Sequence, residues 1–259
     1  NLDVMRRFFR FFETVRHLKY KQIYYRLYYT LKRPVLKNKN IDISSARKIR
    51  LVAPISKPQS YFGETGFFFL NEFSDMDSRK WSQSQKPMLW QYNLHYFDFI
   101  NSEDLDESPD TVAGLINSWI DEVSINRGCG WDPYPSSLRI VNWIKWILKN
   151  DITDSKILLN LFTQVRNLSA NLEYHIFGNH LFANAKALIF AGTFFGGKEG
   201  NKWLKKGSKI LQMELDEQFL EDGGHFELSP MYHSILLEDM LDLLNLVTVS
   251  NQENLTEKQ

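Results

Sequence analysis

Residues 158–189 read LLNLFTQVRNLSANLEYHIFGNHLFANAKALI, and the spacing of their apolar positions decides the fold class. Leu158, Leu161, Val165, Leu168 and Leu172 recur at helical intervals, so they share one helix face. Leu181, Ala185, Leu188 and Ile189 repeat the pattern after the short connection EYHIFGN at 173–179. Two helices joined by so short a link form an antiparallel hairpin. On the N-terminal side, Val112, Leu115, Ile116, Trp119, Ile120 and Val123 mark one helix. Leu138, Val141, Ile144 and Leu148 mark another beyond the WDPYPSS turn. On the C-terminal side, Trp203, Leu204, Ile210, Leu211 and Leu215 precede the EDGGHFELSP loop, and Leu236, Met240, Leu243 and Val247 follow it. Three successive hairpins predict an all-α chain built as an incomplete (α/α) toroid, with the hairpin turns gathered at one end around a cleft.

The rest of the chain frames this unit. Residues 1–33 carry nine Lys or Arg against two Asp or Glu and are rich in Phe and Tyr, which predicts a basic helical arm ended by Pro34. Packing of its aromatic face on the body is preferred to contact with an anionic membrane surface. Residues 35–88, broken by Pro54, Pro58, Gly63, Gly66 and Pro87, predict a wrapping connection with two short strands. The expected division is therefore 1–88 as arm and wrapping segment and 89–259 as toroid, together one structural unit.

Composition narrows the function. The chain has 31 basic and 31 acidic residues, so no whole-molecule field steers it toward nucleic acid. Seven Trp and eleven Tyr suit a cleft that stacks flat ligand faces, and for any one of them core filling is the equal alternative. Cys129 is the single cysteine, which excludes an internal disulfide and a cysteine-based zinc cluster. No HExxH-like spacing joins the histidines, and neither metal nor cofactor is expected. The chain starts at Asn1 without a signal-peptide pattern, so a processed or trimmed start is expected.

Chemistry-bearing residues cluster at the turns. In WDPYPSSLRIVNW (131–143), Ser136 is read as a helix N-cap and Arg139 as a fork for a carboxylate or sulfate beside the Trp131 plate. Arg139 paired to a neighbouring acid under a core Trp is the equal alternative. Asn179 and His180 open a helix whose free amides and positive dipole end favour an anion; each alone also reads as an ordinary cap or a structural histidine. Gly223, Gly224 and Pro230 shape the turn that carries His225, Glu227, Tyr232 and His233.

Through WQYNLHYFDF (90–99), WDPYPSSLRIVNW, GNHLFANAKAL (178–188) and GGHFELSPMYH (223–233), the sequence resembles the heparinase II/III family of polysaccharide lyases. VRHLKYKQIYYRLYYTLKRP at 15–34 also resembles the opening of bacterial members. The resemblance implies a toroid followed by a C-terminal β-sandwich; no strand-rich second half is read in this sequence, so either a fragment or a reduced protein is expected, with the β-sandwich expected in the full-length protein. It implies a periplasmic or extracellular enzyme that cleaves a uronic-acid-containing polysaccharide by β-elimination. Asn179 takes the place of the asparagine that neutralises the uronate carboxylate, His180 assists, and Tyr232 takes the place of the catalytic tyrosine. Trp90, Tyr92, Asn93, Trp131, Tyr134, Arg139, Asn142, His225, Glu227 and His233 are the expected substrate-binding residues; His225, His233 or Arg139 would also lower the pKa of Tyr232. Heparan-type, alginate-type and bacterial surface polysaccharides all remain open, and the sparse basic residues outside the arm favour the last. The rivals are a catalytically inactive carbohydrate-binding or assembly module and a hydrolase using Asp222 and Glu227.

Overall fold

The computed structural model describes residues 2–16, 18–31, 41, 43, 46, 51, 55–63, 65–75 and 81–256. Two helices, α1 (Leu2–Arg16) and α2 (Tyr20–Leu31), form the arm. Pro34 and Pro54 lie outside the described residues. A small sheet follows, then α3 (Met88–Tyr96), α4 (Pro109–Glu122), α5 (Pro133–Lys149), α6 (Ser155–Ala170), α7 (Gly178–Phe195), α8 (Gly197–Gln218) and α9 (Pro230–Thr256).

Local chemistry sets several boundaries. The Ser108 hydroxyl accepts the Thr111 amide at 3.1 Å, and Pro109 supplies the first helical position of α4. Asp154 caps α6 by accepting from Lys156 and Ile157. At α5 the expectation fails by one turn. The helix begins at Pro133, whose fixed φ suits a first turn, so Asp132 is the cap residue and Ser136 lies inside the helix.

The helices form two layers. Along the inner one α3 packs on α5, α5 on α7 and α7 on α9; the outer one contains α4, α6 and α8. Each hairpin read from sequence is thus an outer helix followed by an inner one, so neighbouring inner helices run parallel. Fourteen of the eighteen residues of α7 are buried, as its almost unbroken apolar sequence requires of a helix covered on all sides. Its closest neighbour is α8, across glycines. A Cβ on Gly192 would meet the Leu204 amide nitrogen at 2.6 Å, and one on Gly207 would meet the Ala185 carbonyl at 2.8 Å. Phe162 of α6 lies 4.8 Å from Trp203 of α8, closing the outer layer there.

Residues 61–75 form a three-stranded antiparallel meander rather than two strands: β1 (Tyr61–Phe62), β2 (Gly66–Phe69) and β3 (Glu72–Asp75). Phe67 pairs with Tyr61 and Ser74, and Phe68 with Phe73. The β2–β3 turn uses Leu70 and Asn71, both at positive φ, the geometry of a two-residue primed hairpin. Leucine is an unusual residue there, which hid the turn. Buried Phe67 and Phe69 join the helical core, with Phe69 set 5.2 Å from Trp90.

Candidate functional site

Three outer-to-inner turns deliver the first turns of α5, α7 and α9 to one end of the inner layer. The parallel register can be read from side chains. Tyr134 stacks on His180 at 4.3 Å, and Asn184 donates to Ser137 at 3.0 Å, so α5 and α7 advance together. Lys186 pairs with Asp239 at 2.7 Å. Lys186 is six residues beyond His180, and Asp239 seven beyond Tyr232, so Tyr232 enters α9 at the level where His180 enters α7.

At the head of α7, Phe177 and Gly178 both have positive φ, and no side chain caps the helix. Its first amides are left for another acceptor, an anion above all. Asn179 is the second helical residue rather than the cap, and its side chain acts on the Tyr134 phenol in the direction opposite to burial, which outweighs it. Glu173, 4% exposed, holds the partially exposed His180 through Oε1 to Nδ1 at 3.0 Å. Its Oε2 accepts from Asn184 at 3.0 Å, and its own amide donates back to Asn184 Oδ1 at 2.8 Å. The carboxylate fixes the His180 ring and holds a proton on Nδ1, directing Nε2 to whatever lies opposite.

Tyr96 of α3 lies edge-on to Tyr134 at 5.9 Å, and Tyr92 donates to Asp132 at 2.7 Å. Burial, then the nearby carboxylates Asp239 and Asp98, push the Tyr134 phenol far above its ordinary value. Burial and the bond to Asp132 do the same for Tyr92. Both remain protonated at neutral pH, so each is a potential hydrogen-bond donor rather than a base, a role Tyr92 already fills toward Asp132.

On the α9 turn, the buried His225 ring lies 5.9 Å from Tyr232. Its Nδ1 accepts the Glu227 amide at 3.3 Å, which leaves the ring proton on Nε2. That Nε2 is a buried donor without a hydrogen-bond partner. Glu227 is exposed, and His233 is half-buried in the first turn of α9. Asp222 accepts the Gly224 amide at 2.9 Å, a turn-forming role.

Several expected sugar contacts lie elsewhere. Trp90 and Trp131 are buried in the aromatic core. Arg139 is wholly buried, with its guanidinium 4.1 Å over the Trp119 ring, and donates to Gln164 at 2.9 Å and to the His95 carbonyl at 3.0 Å. It is a core tie between α3, α5 and α6. Burial of so much charge lowers its pKa to about 9. Asn142 donates to the Tyr96 carbonyl at 2.9 Å and to Asp98 at 2.7 Å, fastening α3 to α5. Asn93 is half-buried and bonds back to Leu89 within α3.

Reasoning from sequence missed Glu173, Asn184 and a buried ion cluster. In that cluster Lys186 contacts Asp239 and also Asp242 at 2.5 Å, while Lys145 reaches Asp242 at 2.6 Å, joining α5, α7 and α9. The available signal was a lysine and an asparagine within an otherwise apolar helix, positions that must find polar partners once buried. Lys57, from the segment before the sheet, reaches into the same region and pairs with Glu238, with Asp98 4.0 Å away.

Comparison with known proteins agrees with this arrangement. Residues 118–257 match the family model described as Heparinase II/III N-terminus. A heparin-sulfate lyase of Bacteroides stercoris is 38% identical over 82 residues, 31% of this chain and 12% of that protein. One of Bacteroides thetaiotaomicron is 33% identical over 86 residues, 33% of this chain and 12% of its own length. A third, of Pedobacter heparinus, is 37% identical over 65 residues, 25% of this chain and 10% of that protein. The chain thus matches these relatives over about an eighth of their length or less. No solved structure matches the chain. The family match spans more than half the chain and contains the α5, α7 and α9 turns, and the chain belongs to the heparinase II/III family.

Proposed function

We propose that this chain is the toroid part of a polysaccharide lyase that cleaves a uronic-acid-containing glycosaminoglycan-type chain by β-elimination. The observation that carries the reading is the open head of α7. Free amides, Asn179 and a His180 oriented by Glu173 converge there beside the neutral Tyr134 donor. A uronate carboxylate seated on these groups is drawn toward its enolate form, which acidifies the C5 hydrogen. Tyr232, level with that seat on α9, removes the C5 proton. The C5–H electron pair becomes the C4=C5 double bond, and the glycosidic oxygen departs from C4 with a proton returned by the same phenol. His225, whose Nε2 is unpartnered 5.9 Å ring-to-ring from Tyr232, donates to the phenolate or to a substrate hydroxyl. Tyr92 and Glu227 border the same end as subsite residues.

The names of the matched relatives support a heparan-type substrate ahead of alginate or a bacterial surface polysaccharide. The test is near-ultraviolet absorbance during incubation of heparan sulfate, alginate and bacterial uronate polysaccharides with this chain and with the product of its whole gene. Absorbance should rise from the unsaturated uronate and fall at least about 10²-fold in Tyr232→Phe. New reducing ends without absorbance would mean hydrolysis instead. No product of either kind, from substrates that a control lyase cuts, would overturn the proposal.

A further inference from the structure

A second recess lies behind the Glu173 loop. Glu173 turns toward His180, whereas the next residue, Tyr174, stacks on Tyr25 of the arm at 4.7 Å and 22°. Around this pair is an open cavity of about 310 Å³ whose wall includes Tyr24, Tyr28, Tyr29, Ser169 and Lys206. Tyr24 and Tyr28, one helical turn apart, lie nearly parallel at 6.1 Å and 17°, a stacked aromatic pair in the wall of the cavity. The arm is fixed here rather than loosely apposed: the Tyr29 hydroxyl donates to the Leu172 carbonyl at 2.6 Å, and Arg26 donates to the His175 carbonyl.

Positive charge lies on one side of the aromatic pair. Lys206 donates to the Ser169 carbonyl at 2.6 Å, and burial pulls its pKa down, so an anion arriving there would relieve a desolvated ammonium. Lys202 and Lys209 are one turn before and after it on α8, and both are exposed. A row of cations beside stacked phenol rings matches a chain of flat sugar rings bearing regularly spaced anions. A membrane surface calls for a convex apolar face, not a recess walled by hydroxyls.

We propose that this cleft is a second carbohydrate-binding site, which holds an anionic polysaccharide with a sugar face on Tyr24 and Tyr28 and a carboxylate or sulfate on Lys206. It takes its ligand class from the proposed polysaccharide reading but requires no turnover. Polysaccharide held here would be anchored next to the cleavage site, on the other side of the 171–177 connection.

The test is calorimetric titration of the whole chain, carrying Tyr232→Phe to block cleavage, with short heparan sulfate oligosaccharides, short alginate oligosaccharides and neutral dextran. Lys206→Gln and the Tyr24→Ala/Tyr28→Ala pair are compared with that parent, and circular dichroism checks their fold. The expected result is acidic-glycan binding at a site that weakens about tenfold in each variant, while dextran does not bind. Lys206→Gln leaves the arm packing intact, so it decides the matter if the tyrosine pair disturbs α2. Unchanged binding in both variants, or no acidic-glycan binding at all, would overturn the proposal. Binding to phosphatidylserine vesicles but not to glycans would overturn it in favour of a membrane contact. Acidic-glycan cleavage by the parent with no binding that depends on Lys206 sinks this inference alone; Lys206-dependent binding without any cleavage sinks only the lyase reading.

Discussion

Replacing Lys186 by Met removes the cation that holds α9 to α7. Lys186 and Asp239 are both almost wholly buried and 2.7 Å apart, and Lys186 also contacts Asp242. Asp242 retains Lys145 in the variant, so Asp239 bears the loss. A carboxylate stranded in the core takes up a proton. Burial is the leading influence on Asp239 and already raises its pKa despite Lys186. With an unfolded value of about 3.9, protonating that group on folding costs about 4 kcal/mol near pH 7 and about 1.5 kcal/mol near pH 5. The first figure falls within the roughly 3–5 kcal/mol typical of breaking a buried pair from one side. Urea unfolding followed by tryptophan fluorescence should therefore show Lys186→Met losing about 4 kcal/mol near pH 7 and less than half of that near pH 5. Lys186→Met combined with Asp239→Asn should recover most of the loss, because no charge is then stranded. A loss under about 1 kcal/mol near pH 7, or one that does not change with pH, would refute the reasoning.

Glu214 is fully buried on α8, with Oε2 bonded to Gln218 and Oε1 unpartnered; burial pushes its pKa up to about 7. The folded state therefore binds the proton more tightly than the unfolded chain, so stability is greatest below the unfolded value and falls as pH rises toward 7. Glu214→Gln should be more stable than the parent by about 3.5 kcal/mol near pH 8 and by about 1 kcal/mol near pH 5; equal gains in urea melts at both would contradict the buried-acid reading. Glu173→Gln replaces one of the two carboxylate oxygens that hold His180 and Asn184. It should lower turnover about 10- to 100-fold by near-ultraviolet assay, by loosening the His180 ring and its tautomer, and full activity in that variant would remove Glu173 from the site.

The helices of the toroid were legible because α4, α5, α6, α8 and α9 each repeat apolar residues at helical spacing. Periodicity reports which face is apolar, not which layer a helix joins, so the inner and outer roles emerged only with the coordinates. Helix α3 was missed because WQYNLHYF carries aromatic residues on every side, as befits a short helix buried at Trp90, Leu94, His95 and Tyr96. The third strand was hidden by Leu70 at a positive φ. At the proposed site, Asn179, His180 and Tyr232 were singled out through motifs and turn position. The misread residues were Trp90, Trp131 and Arg139: side chains suited to stacking a sugar or forking a carboxylate are equally suited to the core. Arg139 found neutral acceptors and a Trp face there instead of an anion. Glu173 and Lys186 escaped notice because their importance comes from long-range partners that no local pattern encodes.

Two of the findings that sequence did not reveal, the layer order and the ion cluster, explain together how such a site keeps its geometry. Parallel inner helices bring three helix heads to one end, but packing of smooth apolar faces alone permits a helix to slide or rotate by a fraction of a turn. Charge pairs do not: Lys186 must meet Asp239 and Asp242, and Lys145 must meet Asp242, at hydrogen-bond distance. These contacts lie about two turns below His180 and Tyr232, close enough that a shift in α9 at Asp239 would be carried undiminished to Tyr232 along a stiff helix. Above them, Glu173 and Asn184 clamp His180 from the turn itself. A buried ion pair is weak evidence for stability, since an apolar replacement often serves as well, but it specifies register in a way an apolar replacement does not. On this argument the Lys186→Met/Asp239→Asn protein is the informative one, because it should regain most of its stability and still turn over more slowly than the parent, separating what the cluster contributes to holding the fold from what it contributes to aligning Tyr232 with the head of α7.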